Sequence, residues 1–354
     1  MKRLRIFLAV QPGCVSIPGS QLWYANLYQP LVSLGHDVVP LQYDLMPHFV
    51  NLDPAVPAHR AFIEANRPKL EAALLAEIEA AHRAKPIDVF FSYFYSACAR
   101  PETIRAIGAM GIRTVNWYCN GSYQFHLVKD IAPAYDCCLV PECYRLDDYR
   151  RAGARPIYCQ EAANPDVYRP YAVSVEYDVT FVGQAYGDRP AVIRHLQEQG
   201  IDVRVWGPHW KHYAPKLQTA GGPPEPDDRY GGILTDEEMI RMYSRSKINL
   251  GFSSCGETHA SGERILQVRL RDFEVPMSGG FYMVEYMEEL EAFFEIGKEV
   301  ICYTDADDLT DKIRYYLAHD AEREAIRRAG FERCRRDHTW QKRFEDVFRT
   351  IDVY

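Results

Sequence analysis

Arg269, Arg271 and Glu274 stand close together in an otherwise apolar stretch, ERILQVRLRDFEVPMSGGFYMVEYMEE from Glu263 to Glu289, and Gly279-Gly280 follows them. A guanidinium matches the fork of phosphate oxygens, a carboxylate accepts from ribose hydroxyls, and glycines let backbone N–H groups approach a phosphate. Those are the parts of a site for a nucleoside diphosphate. The plain alternative is an Arg271–Glu274 pair on one helix face, which would contribute less than about 0.5 kcal/mol. The apolar setting and the glycines favour the ligand reading. A short helix must carry these groups: Leu266, Val268, Leu270, Phe273, Val275 and Met277 are its apolar positions, the diglycine stops it, and Phe281 to Val284 begins a strand.

Two further places invite an anion or a base. In YDVTFVGQAYGDRP a strand over Val179–Val182 runs into Gly183, and a helix follows from Ala191 to Gln199. Unpaired N–H groups and the helix dipole would face that loop, with Arg189 adding charge. The structural alternative is that Gly183 and Gly187 only make the turn and Asp188 caps the helix. The next strand, Ile201 to Trp206, ends in WGPHW, where Gly207 marks an edge loop. Trp206 either covers a flat base or fills core.

The segment RDFEVPMSGGFYMVEYMEELEAFFEIGKEVICYTDADDLTDKIRYYL, the later DHTWQKRF, and YRP and YDVTFVG upstream resemble the carboxyl-terminal signature of the CgeB-type (spore maturation protein-like) glycosyltransferases. The shared pattern is Arg-x-Phe-Glu, a small-residue turn, Gly-Gly, Gly-Lys-Glu and His-Thr-aromatic. The resemblance implies an α/β fold of two Rossmann-like doubly wound domains facing across a cleft, the GT-B architecture. It implies a nucleotide-diphosphate sugar, UDP-linked, as co-substrate, with no further cofactor. Arg189, Arg271 and Arg269 would lie on the diphosphate and Glu274 on the ribose. Asn249, in the strand from Lys247 to Phe252 that leads to the donor pocket, joins Gly183, Trp206, Gly207, Gly279 and Gly280 as donor-binding candidates.

In the first half the informative loop is Cys119 to His126, CNGSYQFH, after a strand over Arg113–Tyr118. The resemblance implies an acidic residue or a His-Asp pair there, facing the reacting sugar. Asn120 occupies that place, and an amide is no general base. His126 and Asp130 are the nearby substitutes, so the catalytic candidates are Asn120, His126 and Asp130.

Stepping outward, 354 residues fit two domains of ordinary size. Arg5–Val10 reads as a first strand, QPGCVSIPGS as a loop, Gln21–Leu34 as a helix and Val38–Leu41 as the next strand, a βαβ opening of the doubly wound kind. The region from Arg67 to Arg83 is an amphipathic helix before Lys85-Pro86. The Pro-punctuated EAANPDVYRPY marks the domain boundary. The expected division is 1–168 for the acceptor domain, 169–337 for the donor domain, and 338–354 as a helix that the resemblance sends back to the first domain.

A net charge of −8 argues against wrapping a nucleic-acid backbone or an anionic membrane. No apolar segment approaches the roughly 20 residues that span a bilayer. The basic, apolar start MKRLRIFLAV lacks a cleavage site and reads as a buried strand, so the expected location is cytoplasmic. The ten cysteines show no C-x-x-C and read as reduced and buried; Cys255 with His259, near Glu257, is too solitary for a metal. Asp305 to Asp308 suggests an Asp-x-Asp metal site, but it precedes the helix LTDKIRYYL and is better explained as capping. No metal is therefore expected. The reading is a glycosyltransferase acting on an unidentified acceptor. A nucleotide-sugar epimerase or hydrolase of the same fold is one alternative, and a nucleotide-sugar-binding protein without turnover, suggested by Asn120, is the other.

Overall fold

The computed structural model describes residues 2–14, 17–217, 225–255 and 264–354. The chain divides into two compact units, Met1–Glu161 with Trp340–Tyr354, and Ala162–Thr339. The division falls several residues before the expected position 168, ahead of the Asn164-Pro165 turn.

The first unit is built on a six-stranded parallel sheet in the order β2-β1-β3-β4-β5-β6. Its strands are β1 (Arg5–Ala9), β2 (Asp37–Pro40), β3 (Val89–Ser92), β4 (Arg113–Trp117), β5 (Cys137–Val140) and β6 (Pro156–Tyr158). β3 is buried along its whole length, as a central parallel strand covered on both faces must be. Parallel pairing requires crossovers. These are α1 (Gln29–Ser33), α2 (Pro57–Ala84), α3 (Pro101–Ala109), α4 (Gly121–Val128) and α5 (Leu146–Arg151). Three expectations change here. The first helix opens with a π-helical turn over Tyr24–Tyr28. α2 begins ten residues before Arg67, because Pro57 starts it and Ile63 extends the buried line of Leu70, Leu74 and Ile78. The supposed loop after β4 is the helix α4. Asn120 stands at its N-cap but its side chain makes no capping bond, and the cap comes from afar: Glu142 Oε1 accepts the Ser122 N–H at 3.0 Å.

The last helix, α11 (Trp340–Thr350), packs within this unit. Trp340 meets Trp117 edge-on at 5.3 Å between ring centres, and Phe344 meets Phe91 at 5.7 Å.

The second unit has a five-stranded parallel sheet, β13-β12-β11-β7-β8. The strands are β7 (Tyr177–Val182), β8 (Val203–Trp206), β11 (Ser246–Gly251), β12 (Tyr282–Glu285) and β13 (Ile301–Tyr303), with a small ribbon of β9 (Lys216–Leu217) and β10 (Glu225–Pro226) apart from it. The helices are α6 (Arg189–Glu198), α7 (Asp236–Arg245), α8 (Leu270–Met277), α9 (Ala306–Ala318) and α10 (Asp320–Asp337). Strand alternation sends Met283 and Leu250 to a core shared with Ile193 of α6 and Leu309 of α9. Tyr282 and Val284 point to the opposite core, with Met239 of α7 and Phe273 of α8. Helices therefore cover both faces, and the sheet is doubly wound. Asp305 caps α9, accepting from Asp307 N–H at 3.0 Å and Asp308 N–H at 2.9 Å, as the sequence suggests.

Candidate functional site

In open parallel sheets ligands bind at the carboxyl ends of the strands. In the second unit that edge gathers the loops after β7, β11 and β12. β7 ends at Gly183, whose carbonyl accepts from Trp210 Nε1 at 2.7 Å. The loop after β8 presses on it: at Gly207, with φ +134°, a Cβ would stand 2.3 Å from the Gly183 carbonyl oxygen. Only glycine permits that contact and that backbone. Gly183 and Gly207 thus shape the floor on which α6 begins.

Arg189 is the first residue of α6 and its side chain is buried rather than held out into the loop. Nη1 donates to the Gln184 carbonyl at 3.0 Å and Nη2 to the Tyr186 hydroxyl at 2.8 Å. The group lies 3.9 Å from the Tyr186 ring centre and within cation–π range of Phe181 and Phe252. Nε is buried without a hydrogen-bond partner, and among the described residues no carboxylate pairs with this arginine. Burial, followed by the neighbouring Arg269 charge, pulls its pKa down to about 10, which leaves it cationic at neutral pH.

Arg269 sits at the N-cap of α8. Its backbone N–H is fixed by Asp272 Oδ2 at 2.7 Å, and its Nη2 donates to the Ser254 carbonyl. The Tyr186 hydroxyl also reaches that carbonyl, at 3.4 Å, so one short network joins Arg189, Tyr186, Ser254 and Arg269. Arg269 Nε is again buried and unbonded. Asp272 anchors the turn from below through a 2.7 Å hydrogen bond from Tyr282, and burial pushes its pKa up to about 6.

Arg271 and Glu274 do face one another, but loosely, at 3.9 Å. A satisfied pair would be shorter. Arg271 Nη1 and Glu274 Oε1 are both buried without hydrogen-bond partners. Burial raises the Glu274 pKa while the Arg271 charge opposes the rise. Buried polar atoms are ordinarily hydrogen-bonded, and Nε of Arg189 and Arg269, Nη1 of Arg271 and Oε1 of Glu274 are left here without protein partners.

The other donor-side candidates separate. Trp206 is half-buried at the end of β8, edge-on to Tyr177 at 5.2 Å, with Gly231 packed against its ring. Asn249 lies inside the core, and its amide is already used: Nδ2 donates to the carbonyls of Tyr243 at 3.1 Å and Phe281 at 3.3 Å, and Oδ1 accepts from Thr180 at 3.3 Å. It ties strands together and offers nothing to a ligand. Gly279 and Gly280 follow the carboxyl end of α8, roughly 12 Å from Arg269 along eight residues of helix. There the dipole is negative. Gly279, at φ +71°, adjoins Pro170, and a Cβ at Gly280 would meet Val275 at 2.7 Å, so both serve packing.

Sequence reasoning missed Tyr186, Arg264 and Glu285. Asp188 makes no capping bond to α6; it pairs with Arg264 at 2.8 Å. Glu257 and His259 lie outside the described residues. Among the described residues no three His, Cys, Asp or Glu side chains gather as metal ligands.

In the first unit Asn120 is the N-cap residue of α4, half-buried, with Nδ2 donating to the Tyr93 hydroxyl and Oδ1 accepting from Tyr123, each at 3.3 Å. His126 lies in the last turn of that helix, exposed, 3.3 Å from Asp53. Asp130 is exposed in the following turn. The structure does not gather these three into one site. No described helix is long and apolar enough to cross a membrane.

Residues 189–349 match the family model described as glycosyl transferase-like. No curated protein matches the chain in sequence. Among solved structures, sucrose-phosphate synthase from Thermosynechococcus elongatus is similar over 99% of this chain and 100% of its own, with a TM-score of 0.62 at 12% identity. Anabaena Alr3699/HepE in complex with UDP-glucose is similar over the whole of both chains, with a TM-score of 0.62 at 10% identity. AviGT4, a glycosyltransferase involved in avilamycin A biosynthesis, is similar over 98% of this chain and 96% of its own, with a TM-score of 0.58 at 17% identity. The stretch 189–349 is thus glycosyl transferase-like, in a chain that has the fold of the GT-B glycosyltransferases.

Proposed function

We propose that the protein transfers a sugar from a UDP-linked donor, drawn from the cytoplasmic pool, to an acceptor, and needs no metal ion to do so. The observation that carries this reading is the set of buried, unpartnered polar atoms on Arg189, Arg269, Arg271 and Glu274. The Arg-x-Phe-Glu, Gly-Gly, Gly-Lys-Glu and His-Thr pattern supports the CgeB-type branch, and the structural likeness to a UDP-glucose-binding protein supports UDP. In transfer, an acceptor hydroxyl oxygen bonds to the anomeric carbon, the carbon–oxygen bond to the β-phosphate breaks, the electron pair leaves on UDP, and the hydroxyl proton passes to the departing phosphate or to water. Charge that develops there is best met by fixed cations in a dry setting. Two buried guanidinium groups at helix amino termini supply it, and Arg271 adds a third. The first unit takes the acceptor.

A specific observation favours donor binding without turnover as a second reading: the Asn120 amide is occupied by Tyr93 and Tyr123 and cannot accept a proton. Calorimetry with UDP and UDP-glucose, followed by product analysis with and without sugar acceptors, decides. Binding with transfer supports the enzyme, binding with hydrolysis or epimerisation moves it to the rival chemistry of the same fold, and no binding ends the proposal.

A further inference from the structure

Arg264 places Nη2 2.8 Å from Asp188 Oδ2 and Nη1 against Glu285 Oε1. Asp188 directly precedes Arg189 at the start of α6, and Glu285 is the last residue of β12. The Glu285 side chain is only 5% exposed, and its Oε2 accepts the Ser253 N–H at 3.2 Å. Next along the chain, Ser254 directs its hydroxyl toward Asp188 at 3.5 Å and gives its carbonyl to Arg269 and Tyr186. One guanidinium therefore fastens the loops after β7 and β12 to the connection leading from β11 to α8.

We propose that Arg264 is a positioning residue of the anion site, which neutralises Asp188 and Glu285 so that Arg189 and Arg269 meet a diphosphate with no uncompensated carboxylate beside them. The inference rests on the donor reading above. With Arg264 present, Asp188 and Glu285 share a cationic partner. Without it a nearly buried carboxylate loses that partner, and Asp188 is left with only the Ser254 hydroxyl, one residue from Arg189. Each terminal nitrogen of Arg264 already meets a carboxylate, which suits a supporting place beside the arginines of the site.

The test compares UDP affinity, by calorimetry, and thermal midpoint for the intact chain, Arg264→Met, and the triple variant Arg264→Met/Asp188→Asn/Glu285→Gln. Arg264→Met is expected to weaken UDP binding about tenfold or more. The triple variant should return to within about threefold of the unaltered chain, because the charges that needed compensation are gone. UDP binding unchanged in Arg264→Met overturns the proposal. So does a triple variant that folds yet binds as weakly as the single one, since that outcome makes Arg264 a direct phosphate ligand. If Arg264→Met does not fold, the triple variant alone still carries the comparison with the unaltered chain. If the unaltered chain binds no UDP, the donor reading fails by itself. The midpoints then judge Arg264: a drop in the single variant restored in the triple one upholds neutralisation, and three equal midpoints refute it.

Discussion

The guanidinium of Arg189 lies 3.9 Å from the ring centre of Tyr186, and the hydroxyl of the same tyrosine accepts its Nη2 hydrogen bond. One neutral side chain thus does what a carboxylate would ordinarily do for a buried cation. The arginine is held in place without being neutralised, which reserves its charge for an anion at some cost to the empty protein. Arg189→Met is expected to raise the thermal midpoint of the ligand-free protein by about 2–4 °C and to abolish the upward shift caused by UDP. A lower midpoint with an intact UDP shift would count against the assignment.

Glu274 serves the ribose in this scheme, through the oxygen that has no partner. Glu274→Ala should weaken UDP binding about ten- to a hundredfold while leaving inorganic pyrophosphate within about twofold. Equal losses for both ligands would mean that Glu274 acts by holding Arg271.

Asp272 makes stability depend on pH in a definite direction. Its pKa in the folded chain is pushed up from 3.8 to about 6 by burial, so over that interval the folded state holds a proton that the unfolded state releases. Stability from this group is complete below about pH 4 and is lost as pH rises through about 6, by at most about 3 kcal/mol. Denaturant midpoints between pH 4 and 7 should show the unaltered chain losing stability relative to Asp272→Asn. Parallel curves would show that Asp272 is ionised throughout.

Asn249 distinguishes a core amide from a ligand contact. Asn249→Ala is expected to lower stability by about 1–3 kcal/mol through the unsatisfied carbonyls it leaves. UDP affinity measured well below the melting range should not move by more than about twofold.

Asn120 gives a test confined to turnover. Asn120→Asp places a carboxylate where the resembled family carries one; an oxygen can still accept from Tyr123, while the bond that the amide donates to the Tyr93 hydroxyl must reverse, with Tyr93 donating. Transfer should rise about tenfold or more with donor affinity unchanged. No gain in transfer would remove this position from the chemistry.

The strand-loop-helix rhythm of both sheets is readable because the strands are short apolar runs, several of them ended by glycine or proline, as β5 is by Pro141, β7 by Gly183 and β8 by Gly207. Arg269, Arg271 and Glu274 stand out in the sequence because they interrupt an apolar run, and Arg189 because it follows the Gly183 loop. What escaped the sequence depends on distance along the chain. Arg264 and Asp188 are separated by 76 residues, so their ion pair has no local signature. The sequence of α4 reads as a loop because the group that caps it, Glu142, follows another strand. Gly279 and Gly280 stand close to Arg271 in sequence, but a helix carries them to its far end. Asn249 shows the converse: its strand was foreseen, but not that the amide points into the core.

The return of Trp340 and Phe344 to Trp117 and Phe91 sets an order on synthesis. The sheet of the first unit leaves the ribosome early, yet the strip that seals it arrives only after the whole of Ala162–Thr339 has been made. A nascent chain halted at Thr339 would therefore carry a finished second unit and an unsealed first one. Brief protease treatment of such a stalled chain should cut within the first 161 residues before it cuts anywhere later.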